Sequence, residues 1–160
     1  MDFLTGIINR RGLVRRIEAE MDGAIRHDLP FSLILFDLDD FKKINDQLGH
    51  DVGDLVLRDV ASLMTEQLRK NDSVGRWGGE EFILILPYTH IQEAGILSER
   101  IRQLLSQQAL SKGARVSASF GVAEYRCGES LNELIRRVDQ AQYRAKQSKN
   151  CVVLDENTVN

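Results

Sequence analysis

Residues 73–86 read Ser73-Val74-Gly75-Arg76-Trp77-Gly78-Gly79-Glu80-Glu81-Phe82-Ile83-Leu84-Ile85-Leu86. Two short extended pieces, Ser73 to Trp77 and Glu81 to Leu86, flank a Gly-Gly pair, the pattern of a hairpin. Strands joined by so short a turn run antiparallel, so their sheet is not a purely parallel, doubly wound one. Working outward, Phe31 to Phe36 reads as a buried strand. Val116, Ala118, Phe120 and Val122 alternate as a further strand, and Cys151 to Leu154 is a short last one. The helical spacing of Leu13, Val14, Ile17, Met21, Ala24 and Ile25 predicts a helix from Arg10 to His27, broken at Leu29-Pro30. A short helix is expected over Phe41 to Leu48, ending at Gly49, and a longer one from about Gly53 to Arg69. Thr89-His90-Ile91-Gln92 and Ser130-Leu131-Asn132-Glu133 have the capping-box pattern. The first opens a helix to about Gln108, with Ala94, Leu97, Ile101 and Leu104 inward. The second opens a helix burying Leu134, Ile135, Val138, Ala141 and Ala145. The order α-β-α-α-β-β-α-β-α-β predicts an α/β (α+β-like) sandwich, with a central mixed, largely antiparallel five-stranded sheet flanked by helices.

The chain has 160 residues, 42% apolar and 28% charged, which suits one soluble domain with no linker or repeat. Its net charge of −3, from 21 basic and 24 acidic residues, argues against binding nucleic acid over a broad basic face. No apolar run approaches the roughly 18 residues of a membrane span, and the first residues carry no secretory signal. The expected location is therefore the cytoplasm. Cys127 and Cys151 have no metal-ligand spacing and read as unpaired small residues.

Three stretches carry chemistry. Asp37, Asp39 and Asp40 follow directly on the buried strand, and period-two alternation sends Asp37 and Asp39 to one face. Hard oxygen ligands at a sheet rim suit Mg²⁺; the alternative is a solvated acidic turn. Glu80 and Glu81 follow the Gly-Gly pair, where a carboxylate can meet Asp37 across the sheet; the alternative is a plain hairpin with a charged edge. The helix from Phe41 sets amides and Lys42 beside a phosphate site. Asn45 and Asp54 offer the acceptors and donors that guanine's edge needs, or are simply a cap and a solvated face. His50 by itself reads as a packed or capping histidine.

Together these stretches resemble the GGDEF domains of diguanylate cyclases. Asp2 to Arg11 is similar to the family's D-x-L-T-G-L-x-N-R-R, and Asp37 to Asp54 to its D-x-D-x-F-K-x-I-N-D-x-x-G-H-x-x-G-D. Arg76 to Phe82 carries the name motif in its E-E-F form. Ser119 to Val122 and Asp139 to Lys146 match later motifs, so the resemblance runs from residue 2 to about 154. It implies a palm-like nucleotidyl-cyclase version of the sandwich. It also implies a reaction in which two GTP condense to cyclic di-GMP and two pyrophosphates between two facing domains of a homodimer. On the resemblance, Asp37, Glu80 and the Leu38 carbonyl hold Mg²⁺ (Mn²⁺ being the alternative ion). Glu81 is a second ligand or helps deprotonate the hydroxyl. Phe41, Lys42, Asn45, His50, Asp54, Lys146 and Lys149 line the substrate.

Arg69-Lys70-Asn71-Asp72 matches the R-x-x-D site through which product inhibits, and Arg100 lies where a second arginine for that site is often found. One departure stands out. The usual x-x-G-R-N after the Ala-Lys pair is replaced by Gln147-Ser148-Lys149-Asn150, with no glycine and with Lys149 where an arginine is usual. The resemblance implies a single GGDEF domain over 1–160, with no sensor domain or linker in this chain. The alternative from another class is a catalytically silent module that binds GTP or cyclic di-GMP. A cyclase making a monomeric cyclic nucleotide is a third reading.

Overall fold

A computed structural model describes residues 1–156. The elements are α1 (Arg10–His27), β1 (Phe31–Leu38), α2 (Phe41–Leu48), α3 (His50–Gln67), β2 (Ser73–Arg76) and β3 (Glu81–Pro87). They continue with α4 (Ile91–Gln107), a 3₁₀ turn (Ser111–Gly113), β4 (Ala118–Glu124), α5 (Leu131–Ser148) and β5 (Val152–Leu154). The sheet order is β2-β3-β1-β4-β5. All pairings are antiparallel except β4 with β5. This is the expected mixed, largely antiparallel sandwich.

β1 is the central strand and is buried throughout except at Asp37. Its alternate side chains feed two cores. Leu33 and Leu35 pack with α1 and α5, while Ile34, Phe36 and Leu38 pack with α3 and α4. Phe36 stacks on Phe82 at 5.0 Å and packs against Phe120 at 4.9 Å, a row of rings across β3, β1 and β4. The next row of the register is Glu81, Asp37 and Ser119. Polar chemistry thus begins one residue beyond a row of buried phenylalanines.

Several local expectations change. β1 runs to Leu38 rather than Phe36, because Asp37 still pairs with Glu81 and Ser119. α3 starts at His50, directly after the Gly49 turn (φ 95°), rather than at Gly53. The Thr89 capping box does not form, since the Thr89 hydroxyl donates to the Pro87 carbonyl at 2.8 Å. The cap comes from β4 instead, where Glu124 accepts from the Ile91 amide at 2.8 Å. In α4, Ala94 and Ile101 are buried as expected, but Ser98 and Leu105 are the other fully buried positions in place of Leu97 and Leu104. The Ser98 hydroxyl is satisfied by the Ala94 carbonyl at 2.8 Å. At the second capping box, Ser130 accepts from the Glu133 amide.

The contact that seats the candidate site is α5 on β4. A Cβ at Gly121 would collide with the Gln142 amide nitrogen and lie 2.5 Å from the Val138 carbonyl oxygen. Glycine lets the helix backbone rest directly on the strand. That contact sets how far the end of α5 reaches over Asp37.

Candidate active site

Asp37 ends the exposed side of β1 with its carboxylate half-buried under α5. The Lys146 ammonium, from the last turn of α5, donates to Asp37 Oδ1 at 2.8 Å, to the Leu38 carbonyl at 3.2 Å and to Asp39 Oδ1 at 3.3 Å. Asp39 does reach the same side as Asp37, but it is buried and otherwise engaged. It accepts from the Ser117 and Ser119 hydroxyls at 2.7 and 2.6 Å and from the Asn150 amide at 2.9 Å. Asp39 therefore ties β1 to β4 and to the end of α5. Asp40 adopts φ 53° and turns the chain sharply into α2, a conformation that Asp tolerates better than most residues.

Glu81 lies opposite Asp37 in the β1–β3 register, and its carboxylate folds back over Gly78, where a Cβ would collide with it. Glu80 precedes the strand, its carbonyl accepting from the Leu38 amide at 3.2 Å. Burial pushes all three carboxyls above the usual carboxylate range. For Asp37 the Lys146 contact pulls the other way. For Glu80 and Glu81 the Asp37 charge adds to the rise. Burial pulls the Lys146 ammonium down, but Asp37 and Asp39 more than offset it, leaving it raised and firmly charged. This end of the sheet gathers more negative charge than its lysine neutralises.

Those properties fit a divalent cation. The donors are hard oxygens, and a cation already stands on two of them, since Lys146 occupies both Asp37 Oδ1 and the Leu38 carbonyl. Among the described residues no group of three or more acidic, His or Cys side chains is gathered closely enough to hold a metal ion. Asp37 and Leu38 meet at one corner, while Glu81 leans away over the hairpin.

The hairpin is braced in a way the sequence did not announce. Neither Gly78 nor Gly79 takes a positive φ, so this is not a tight two-residue turn. It is a wider loop gripped by arginine. Arg76 donates to the Gly79 carbonyl through Nε at 3.1 Å and Nη2 at 2.7 Å, and its Nη1 faces Asp2 at 3.4 Å. The Arg10 guanidinium covers the Trp77 ring at 3.9 Å. The Arg76–Gly79 grip is local, three residues apart, but the Arg10–Trp77 and Arg76–Asp2 contacts join residues 67 and 74 apart, and no local pattern signals those two.

Asn45 and Asp54 are brought together where α2 meets α3. The Asn45 side chain lies against Gly53, where a Cβ would collide with its Oδ1. Asp54 is the next residue and is exposed, as are Lys42 and His50. Phe41 is placed differently, with its ring buried in the α3–α4 core, so only its backbone can face a ligand. Lys149 caps α5 at φ 62°, ψ 159°, a conformation suited to glycine, and its ammonium pairs with Asp40 at 2.8 Å. Counted from Lys146, the motif's glycine falls on Lys149 and its arginine on Asn150, so Lys149 stands in the glycine's conformation and not in the arginine's place as expected.

At the other end of β2, Arg69, Asp72 and Arg100 line one cleft of about 230 Å³. Asp72 accepts from the Arg69 amide at 2.9 Å, and the Arg69 carbonyl accepts from the Asp72 amide at 3.1 Å, so the R-x-x-D segment folds on itself. Glu93 and Ile96 of α4 join the same wall, which sequence reading missed because they lie beyond the motif.

Comparison with known proteins agrees with this arrangement. Residues 1–151 match the family described as Diguanylate cyclase, GGDEF domain. The chain is 43% identical over 145 residues to the diguanylate cyclase DgcM of Escherichia coli K12, covering 91% of this chain and 35% of that protein. It is 38% identical over 159 residues to the response regulator PleD of Caulobacter vibrioides, covering 95% and 35%. The chain thus spans about a third of the length of these curated relatives. Among solved structures, the GGDEF domain of DgcB from Caulobacter crescentus in complex with c-di-GMP superposes with a TM-score of 0.93 at 31% identity, over 98% of this chain and 93% of that one. The active GGEEF domain of a diguanylate cyclase from Vibrio cholerae does so with a TM-score of 0.89 at 36% identity, over 95% and 99%. A family match along nearly the whole chain and a shared fold with its acidic hairpin in place lead to one assignment: this chain belongs to the GGDEF domain family of diguanylate cyclases.

Proposed function

We propose that this domain condenses two GTP molecules into cyclic di-GMP with release of two pyrophosphates, as one half of a site completed by a second copy of the domain. The observation that carries the reading is the corner made by Asp37, the Leu38 carbonyl and the Glu80–Glu81 hairpin. In each half, the 3′-oxygen of one GTP forms a bond to the α-phosphorus of the other as the bond from that phosphorus to its pyrophosphate breaks. The hydroxyl proton is lost in the same step, and Glu81, its proton affinity raised by burial and by Asp37, would take it by turning from Gly78 toward the substrate. Asp37, Glu80 and the Leu38 carbonyl would hold Mg²⁺ or Mn²⁺, which supplies neutralisation of triphosphate charge and alignment for in-line displacement. Asn45 and Asp54 read guanine, and His50 lines the substrate site. Lys42, Lys146 and the point charge of Lys149 meet the phosphates.

Incubation with GTP and Mg²⁺ at high protein concentration yields cyclic di-GMP and pyrophosphate, with a rate per molecule that rises with concentration because each half-site needs another. ATP yields no comparable product and binds at least about a hundredfold more weakly, since adenine leaves Asp54 without donors. Equal affinity for the two nucleotides would overturn the Asn45 and Asp54 assignment. Binding of cyclic di-GMP without any synthesis would instead make the domain a silent sensor.

The Arg69–Asp72–Arg100 cleft supports product inhibition. An arginine meets guanine's O6 and N7 in a bidentate fork, and a carboxylate takes its N–H groups. The cleft adjoins the start of β2 and the catalytic hairpin follows its end, so a four-residue strand connects the two sites. Arg69→Ala raises the product concentration needed for half-inhibition by at least about tenfold, the worth of one charged hydrogen bond. Initial-rate assays with added cyclic di-GMP measure this, and an unchanged value would remove the cleft from regulation.

A further inference from the structure

Lys146 is assigned above to a phosphate, yet in the structure it stands elsewhere. Its ammonium is held at 2.8 Å by Asp37 Oδ1 and at 3.2 Å by the Leu38 carbonyl, two of the oxygens that the proposed function gives to a divalent cation. Among the described residues it is the only side chain that donates to Asp37. Asp39, its third contact, keeps two serine hydroxyls and a backbone amide without it. Losing Lys146 would therefore leave Asp37 bare but Asp39 satisfied.

We propose that Lys146 is the resting counter-ion of the carboxylate corner, and that it must vacate Asp37 and the Leu38 carbonyl before a divalent ion can take them. This rests on the reading of Asp37 as a metal ligand. The two cations compete for the same oxygens, so Lys146 holds down the affinity of the nucleotide-free domain for metal. A lysine suits this exchange because it is a point charge on a flexible stem, with three rotatable donors and no planar fork to break. The side chain is 30% exposed, so the ammonium has a path out. An incoming triphosphate offers the released ammonium a new partner. Lys146 thereby links metal capture to nucleotide capture: each makes the move easier, and the coupling is reciprocal. The same residue then serves the carboxylates at rest and the phosphates in the loaded state. The neighbouring lysine stands at rest on a different carboxylate, since Lys149 pairs with Asp40 at 2.8 Å.

The test is Mn²⁺ binding to the nucleotide-free domain, followed by electron paramagnetic resonance and by isothermal titration calorimetry. Lys146→Gln is expected to bind Mn²⁺ at least about tenfold more tightly than the unmodified chain. Lys146→Arg keeps the charge and stays within about threefold of it. Lys149→Gln, which removes an equal charge nearby, also stays within about threefold. In melting experiments Mn²⁺ raises the midpoint of Lys146→Gln more than that of the unmodified chain. Unchanged affinity in Lys146→Gln would overturn the proposal, as would an equal gain in Lys149→Gln, which would reduce the effect to general electrostatics. Asp37→Asn separates this inference from the reading beneath it. If Asp37→Asn weakens Mn²⁺ binding while Lys146→Gln leaves it unchanged, only the counter-ion role fails. If Asp37→Asn leaves Mn²⁺ binding intact, the metal-ligand reading fails and this inference with it.

Discussion

Asp37→Asn lowers cyclic di-GMP synthesis by about two to three orders of magnitude while leaving the domain folded. The magnitude follows from losing the charged group at the reacting centre, where one well-placed electrostatic contact is worth about 3–4 kcal/mol of barrier. The folding expectation follows from the geometry. Burial, with a smaller push from Asp39, raises the Asp37 carboxyl against the pull of Lys146, so its charge is a burden on the metal-free fold rather than a support. An amide of the same shape removes that burden and can still receive the Lys146 ammonium on its oxygen. Thermal melting should therefore show a midpoint equal to or above that of the unmodified domain. Product chromatography measures the loss of activity on the same sample. Substantial synthesis by Asp37→Asn would remove Asp37 from the chemistry, and a collapsed melting midpoint would recast it as a structural residue. Glu80→Gln should lose activity on the same scale, since Glu80 would hold the same divalent ion as Asp37.

Gly121→Ala destabilises the domain by roughly 2–3 kcal/mol, the upper range for forcing a methyl into a packed contact. The obstruction is backbone, not a side chain that can turn aside: the new Cβ meets the Gln142 amide nitrogen and the Val138 carbonyl. Relief requires α5 to lift from β4. Because Lys146 lies one turn beyond Gln142 on that helix, lifting α5 also draws its ammonium from Asp37. Stability and activity should fall together, the first read by denaturant titration. Gly23→Ala is the contrast, since it lies in α1 with nothing within 4 Å of a Cβ. There the same change should be neutral or stabilising by about 0.5–1 kcal/mol, through better helix propensity and a stiffer unfolded chain. Similar losses at both glycines would show that propensity, not the α5–β4 contact, governs the effect.

The elements were legible where the chemistry is local. Apolar spacing marked α1 to its ends; alternation from Val116 to Val122 marked the existence of β4, which runs Ala118–Glu124 and is buried on both faces. The two extended pieces around Gly78-Gly79 required an antiparallel pair, as the β2–β3 register has it. The failures came where a distant group overrode a local signal. Thr89 has capping chemistry, but Glu124 arrives from β4 to cap α4. Leu97 is more apolar than Ser98, and Leu104 equals Leu105, but the packing of α4 buries Ser98 and Leu105 fully and leaves Leu97 only partly buried.

The candidate site divides in the same way. Residue types and spacing along the chain sufficed to nominate Asp37, Glu80, Asn45, Asp54 and the Arg69–Asp72 pair, because oxygen ligands, base-edge partners and phosphate contacts are properties of side chains. Where those side chains stand depends on contacts between residues far apart in sequence. Lys146 reaches Asp37 across 109 positions, Arg76 ties the hairpin to Asp2 across 74, and Glu93 joins Arg69 and Arg100 in one cleft. Only folding brings such groups within hydrogen-bonding distance. Folding also set the Lys146 ammonium on Asp37 and the Leu38 carbonyl, because α5 rests against Gly121 and its last turn overhangs the carboxylates.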